Sequence, residues 1–372
     1  MIELTGTYAT AKVFSDTVEE YALQQILMLL NQPSFADSTV RIMPDVHPGK
    51  VGTIGFTSTV TSGVMPNVVG IDIGCGITIA HLKNARPDFK KIDTVIRENV
   101  PAGFQIRKKP HRFISQFDPE QLYCFRHINK DKMQSSLGTL GGGNHFIELD
   151  VDNSGNYYLA IHSGSRHLGK EVTDFYLRSG QRHLKEQGVT LPYELTWLSG
   201  TLKDDYIHDI LIVQDFARLN RDAIIDEICK GMKWKVENSY CCAHNYIDIV
   251  GDKPILRKGA ISAKLNERVV IPINMRDGII LGRGKGNIDW NESAPHGAGR
   301  IMKRSDVRSH FTVSMYKQAM KGIYSSCISK DTLDEAPFAY RGLDEITHAV
   351  TDTVYIEDIL KPIYNFKAGS ED

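Results

Sequence analysis

The sequence predicts a mixed α/β (α+β) chain folded as one large domain over residues 1–372. Three observations point there. Stretches with helical spacing are interleaved with β-branched, glycine-broken stretches, without the steady alternation of a doubly wound sheet. No Pro/Ser-rich linker, low-complexity run or repeat of about 20–50 residues divides the chain. The 372 residues are 41% hydrophobic and 24% charged, which is ordinary globular usage. Length alone allows two or three domains at roughly 150 residues each, but α/β chains of this size often share one core.

Residues 15–31 (SDTVEEYALQQILMLLN) have apolar residues at helical spacing, with Ser15 placed to cap and Glu19 near the capping-box position. Residues 66–84 are apolar, β-branched and broken by glycines, which predicts buried strands around a tight loop. Residues 157–163 (YYLAIHS) read as a strand, followed by a glycine-containing loop and a helix from about Glu171. One or two helices are expected over 202–230, short strands with glycine turns over 254–286, and helix again over 300–325. The final stretch, 350–368, reads as a helix and then a short strand at Tyr364–Lys367.

Lys and Arg number 44 against 45 Asp and Glu, a net charge of −1. That balance argues against a histone-like or membrane-surface protein, and any binding of nucleic acid must use a local basic patch. Two clusters offer one: Arg107, Lys108, Lys109, His111 and Arg112, and then Arg300, Lys303, Arg304 and Arg308. The opening MIELTGTYATAKVF lacks the basic end and apolar run of a secretory signal. Six cysteines are too few for a disulfide scaffold. The simplest expectation is a cytoplasmic protein whose cysteines serve packing, metal binding or catalysis.

Five islands set chemistry-bearing side chains beside glycines or in tight turns. They hold Asp45 and His47; Asp72 and Cys75; Asn144, His145 and Glu148; His162 and Arg166; and His296 with Gly299 and Arg300. Glycine lets backbone approach a ligand closely. Asp72 and Cys75, three apart in a glycine turn, can aim at one point, and a thiolate has lone pairs enough for two cations. The plain alternative is a buried cysteine with a turn-capping aspartate. With His145, His162 and His244 they make a mixed S/N/O donor set suited to Mn, Zn, Fe or Co. Each histidine taken singly reads equally as a half-buried structural residue. Gly164–Lys170 imitates a phosphate-binding loop, but Glu171 stands where a hydroxyl must hold Mg²⁺. His296 has small neighbours that leave room for a large substrate, and histidine can itself be a covalent nucleophile. Arg300 offers a fork of donors to a phosphate.

In order, MPDVHPGK (43–50), VVGIDIGCG (68–76), LGTLGGGNHFIE (137–148), IHSGSR (161–166), AHNY (243–246), RKGA (257–260) and HGAGR (296–300) resemble the RtcB family of RNA-splicing ligases. The resemblance runs from about Met43 to Lys367. It implies a single domain with mixed sheets around a central metal and nucleotide cleft. It also implies an RNA ligase that joins 2′,3′-cyclic phosphate or 3′-phosphate ends to 5′-hydroxyl ends, using GTP and two Mn²⁺, in tRNA splicing or RNA repair. By that resemblance Cys75 bridges the two ions, with His162 and His244 completing one and Asp72 and His145 the other. His296 carries GMP. Asn144, Arg166, Asn245, Lys258, Gly299, Arg300 and Lys367 fall on nucleotide- or phosphate-contacting positions, and Glu148 on a guanine-reading one. An archease-type activator is a family partner.

The chain departs from the family at Ile271–Arg276, where Ile-Pro-Gly-Ser-Met-Gly is usual. Asn274 takes the place of the guanine-side serine, and Arg276 adds a charge. These changes leave room for an enzyme that guanylylates 3′-phosphates without sealing, or a two-metal phosphoesterase. A catalytically silent RNA-binding relative is the reading from another class.

Overall fold

The computed structural model describes residues 1–249 and 254–368. It opens on the antiparallel pair β1 (Ile2–Thr5) and β2 (Thr10–Val13), then helix α1 (Glu20–Leu30). This helix starts later than its spacing predicts: Ser15 turns its hydroxyl to the Thr17 carbonyl and leaves the helix uncapped. The antiparallel strands β3 (Val40–Pro48) and β4 (Thr53–Thr59) follow. Residues 66–84 are only half strand. Pro66 starts the one-turn helix α2 (Pro66–Val69), a place where its missing N–H costs nothing, and β5 begins after the loop (Gly76–Lys83).

Next come α3 (Phe89–Asn99) and α4 (Lys130–Ser136), then the hairpin β6 (Phe146–Val151) and β7 (Tyr157–Ser163). Helix α5 (Arg166–Glu186) starts directly after β7, five residues before the sequence suggests. The stretch 202–230 is one long helix, α6 (Gly200–Met232), whose buried face includes Ile210, Val213, Phe216, Asn220 and Arg221. Seven strands follow: β8 (Lys235–Ala243), β9 (Asn245–Asp248), β10 (Ile255–Lys258), β11 (Ala260–Ser262), β12 (Arg268–Asn274), β13 (Gly278–Gly284) and β14 (Ser293–Pro295). The helix expected over 300–325 is two short ones, α7 (Arg304–His310) and α8 (Val313–Ala319). After α9 (Leu343–Ala349), the stretch read as a helix and a short strand is one strand of 14 residues, β15 (Val354–Lys367).

These strands make three sheets: β1-β2-β3-β4-β10-β9, the pair β11-β14, and β12-β13-β15-β6-β7-β5-β8. The architecture is the mixed α/β one expected. Helices α5 and α6 pack against the sheets around Val172, Tyr176, Val213 and Phe216, while Ile77, Ile79, Val270, Ile271 and Ile280 fill a second core. Among the described residues no helix is long and apolar enough to cross a membrane.

The local order of the large sheet places the chemistry. In β5, Gly76 faces Ser163 of β7 on one side and Ala243 of β8 on the other. The residues at these strand ends, Cys75, His162 and His244, are therefore neighbours in space. Phe146 of β6 faces His162, which brings His145 to the same end of the sheet.

Candidate active site and metal centre

The loop 70–75 is held rigidly before it presents any ligand. Buried Arg221 of α6 donates to the carbonyls of Gly74 (2.9 Å) and Ser163 (2.7 Å) and to Thr78 Oγ1 (3.0 Å). The Gly74 N–H donates to the Asn245 carbonyl, and the His244 N–H to the Cys75 carbonyl. Gly74 lies at φ +68, and a Cβ there would meet Ala217 and Gln214 at 2.9 Å, so the turn requires glycine. One arginine thus ties the Cys75 turn to the end of β7.

Two groups that could hold a metal ion result, Cys75–His162–His244 and Asp72–Cys75–His145, each with its donor atoms within 4.8 Å of one another. Cys75 belongs to both. Its Sγ lies 3.3 Å from His162 Nε2 and 3.4 Å from His145 Nε2. His162 Nε2 is 3.3 Å from His244 Nε2, and His145 Nε2 is 3.0 Å from Asp72 Oδ2. His145 Nδ1 donates to the Leu140 carbonyl (2.9 Å) and His162 Nδ1 to that of Asn144 (3.1 Å). Those anchors fix the tautomers and leave the Nε2 lone pairs converging, the arrangement of metal-bound imidazole. Burial holds His162 and His244 well below the usual histidine range, so both rings are neutral. Burial opposes ionisation of Asp72, but the His145 ring and the Arg166 guanidinium beside it outweigh that and keep the carboxyl low. Burial also pushes the Cys75 thiol well up. A divalent cation resolves that cost by taking the thiolate directly. The donor set fits a transition-metal pair.

Arg166 and Lys258 stand beside this centre. Arg166 approaches His145 Nδ1 at 3.5 Å and donates to the Gly103 carbonyl (3.4 Å) and Thr139 Oγ1 (3.3 Å). Its backbone is left-handed, φ +54, a strained conformation of the kind stored at functional sites. Half-buried Lys258 donates to the Val69 carbonyl at 3.1 Å, and desolvation lowers its pKa. Asn245 receives the Gly259 N–H and reaches the Asp72 carbonyl.

His296 follows β14. Its Nδ1 lies 2.7 Å from Oδ2 of fully buried Asp45, and its ring sits 4.8 Å from that of His244. Gly299 takes φ +66, where a Cβ would meet the Asp45 carbonyl oxygen at 2.6 Å. His47 donates Nδ1–H to the Asp45 carbonyl (2.8 Å), and burial draws its pKa down to about 4.

A cavity of about 560 Å³ opens beside these rings, walled by Asn144, Phe146, Glu148, His162, His244, His296 and Lys367. Glu148 accepts from Asn365 Nδ2 at 2.6 Å, and burial raises its pKa to about 7. Its strand neighbour Asp150 is fully buried with both oxygens unpartnered, and burial with the adjacent Glu148 pushes it well up.

Other residues lie at the cavity with their donors committed elsewhere. Arg300 lines the cavity while its fork donates to Met302, Asp334, Glu335 and Tyr340. Asn274 caps the β12–β13 turn: its Oδ1 accepts the N–H of Arg276 and Asp277, and its Nδ2 donates to Asp277. Arg276 is spent on Asp277 as well. Glu335, carrying no motif, is, like Arg221, a residue that sequence reasoning missed. It is buried and binds Lys367 (2.7 Å), Arg300, Arg304 and Tyr340. The two basic clusters are largely neutralised: Arg107 pairs with Glu227, Arg112 with Asp226, and Arg304 and Arg308 with Asp334.

A histidine held by a buried carboxylate, beside residues that could hold metal ions and at the wall of a nucleotide-sized cavity, is the arrangement of an enzyme site. The chain belongs to the tRNA-splicing ligase RtcB family, whose model matches residues 25–123 and 115–368. It is 29% identical to the RNA-splicing ligase RtcB of Escherichia coli (strain K12) over 408 aligned residues, covering 97% of this chain and 98% of that one. It is 26% identical to RNA-splicing ligase RtcB2 of Escherichia coli (strain ATCC 25922), with 94% and 93% covered. It is 25% identical to the tRNA-splicing ligase RtcB of Pyrobaculum aerophilum, with 86% and 85% covered.

Proposed function

We propose that this enzyme is an RNA ligase that joins RNA 3′-phosphate or 2′,3′-cyclic phosphate ends to 5′-hydroxyl ends, using GTP and Mn²⁺, through a guanylylated His296. The observation that carries the reading is His296 itself. Its Nδ1 is held by Asp45 and its ring lies against His244 of one ligand set. That leaves Nε2 as the nucleophilic lone pair on the cavity side.

In the first step Nε2 attacks the α-phosphorus of GTP. A P–N bond forms, the bond to the bridging oxygen breaks, and pyrophosphate departs with that electron pair. Asp45 meets the positive charge that develops on the ring. A cyclic phosphate is opened by water to a 3′-phosphate, whose oxygen then takes GMP from His296 as the P–N bond breaks. Finally the 5′-hydroxyl oxygen attacks the RNA phosphorus, loses its proton, and expels GMP. Mn²⁺, held by Asp72, Cys75, His145, His162 and His244, supplies Lewis-acid neutralisation of the phosphoryl oxygens. Glu148 accepts from the guanine ring N–H and amino group, and Asn144, Arg166, Lys258 and Lys367 hold phosphates and ribose. An archease-type activator would act on the guanylylation step.

The test is covalent labelling with α-labelled GTP and Mn²⁺, with and without such an activator. A label stable to base, lost in acid and absent from His296→Ala is expected. Labelling that survives in His296→Ala, or fails altogether in the wild-type protein, overturns the reading.

A further inference from the structure

Segment 104–109, Phe-Gln-Ile-Arg-Lys-Lys, has no part in the chemistry above. Phe104 is 81% exposed, where the other phenylalanines of the described residues are buried or half-buried, and Ile106 is 43% exposed. The segment is nonetheless anchored. Arg107 turns inward to the Asn99 carbonyl (2.8 Å) and Glu227 (2.8 Å), and its N–H donates to the Ser135 carbonyl. Lys108 and Lys109 stay exposed and pair with no carboxylate among the described residues. An aromatic face and two unspent cations on a fixed strip of backbone suit a single-stranded polynucleotide, whose bases stack and whose phosphates seek charge.

Its position relative to the metal centre says which strand. The Gly103 N–H donates to the Gly141 carbonyl (3.0 Å), and the Gly103 carbonyl accepts from Arg166, whose other Nη lies 3.5 Å from His145. Phe104 therefore leaves the protein beside the Asp72–His145 set. The nucleotide-sized cavity is lined instead by His162, His244 and His296, and neither Phe104, Asp72 nor His145 lines it. In an in-line displacement the entering oxygen comes from the side opposite the leaving group. With GMP leaving toward the cavity, the 5′-hydroxyl enters from the side of Phe104.

We infer that Phe104 stacks on the leading nucleobase of the 5′-hydroxyl strand while Lys108 and Lys109 hold that strand's phosphates. This rests on the ligase reading given above.

The experiment measures sealing by pre-guanylylated enzyme as the 5′-hydroxyl strand is varied. Phe104→Ala is expected to raise the KM for that strand about tenfold. GMP labelling of His296 and GMP transfer to the 3′-phosphate stay unchanged, and Phe104→Trp keeps wild-type KM. A strand with an abasic first nucleotide removes the difference between wild type and Phe104→Ala. The Lys108→Glu/Lys109→Glu variant has a salt dependence shallower by about 0.7 per lost phosphate contact. An unchanged KM in Phe104→Ala overturns the inference. So does an unchanged KM with lost stimulation by an activating protein, which would assign this face to that protein. Wild-type enzyme that takes no GMP label defeats the ligase reading instead, and the two failures are told apart by the label.

Discussion

The Nδ1 of His296 and the Oδ2 of Asp45 lie 2.7 Å apart although 251 residues separate them in the chain. The buried carboxylate holds Nδ1 and so leaves Nε2 as the nitrogen that the proposed guanylylation would use. Asp45→Asn is expected to keep the fold and metals while slowing GMP labelling of His296 roughly 10²–10⁴-fold, the usual range for removing a positioned acid–base partner. Single-turnover labelling with saturating GTP measures it.

Cys75 is the atom the two ligand sets share. Cys75→Ala should strip both manganese equivalents. His244→Ala and Asp72→Asn should each weaken one. Metal content after equilibration with Mn²⁺ and gel filtration reads this, and two retained equivalents in Cys75→Ala would break the shared-ligand assignment. Zn²⁺ must be excluded from the buffers, because these donors favour it intrinsically.

Glu148 has its pKa raised to about 7 by burial. Below that pH the carboxyl holds a proton and loses an acceptor for guanine; above it both oxygens accept. The KM for GTP in the labelling reaction should therefore fall as pH rises through about 7, and Glu148→Gln should flatten that profile. The sign for folding is opposite: a raised carboxyl pKa adds stability at low pH that is lost as pH climbs past about 7.

Arg221 holds the carbonyls of Gly74 and Ser163 and the hydroxyl of Thr78 from within the core. Arg221→Met leaves those groups buried without a donor. A loss of about 2–4 kcal/mol in urea unfolding is expected, with weaker Mn²⁺ binding because the Cys75 turn loses its anchor. Equal stability with unchanged metal affinity would show that the turn holds itself.

The ligand residues were legible because the chemistry needs recognisable types beside glycines. Cys75, His145 and His162 carry that signature, His244 stands in Ala-His-Asn-Tyr without a glycine, and adjacent strand ends bring all four together. The partners that orient them were not legible. Arg221 looks like any helical arginine, and Glu335 sits in TLDEAPF with nothing to mark its bond to Lys367. The Asp45–His296 pair needed the fold. β15 was misread for a physical reason: register shifts at Leu281/Gly282 and at Pro362/Tyr364 break its two-residue period. Its identity as a strand comes from β13 and β6, far away in sequence. Asn274 lines the cavity as its place in the sequence suggests, and its hydrogen bonds to the Arg276–Asp277 turn could be seen only in the fold.

β15 carries the highest residue numbers of any strand, yet it lies between β13 and β6 inside a sheet of seven. A ribosome delivers it after its neighbours on both sides. Until then β13 and β6 wait with open edges, each a template for pairing with another chain. Lys367 and Asn365, which complete the cavity wall, arrive on the same strand. A nascent chain therefore carries Asp72, Cys75, His145, His162 and His244 before its cavity is fully walled. Closing the sheet and completing the cavity are one event, so a partly made chain has no finished pocket.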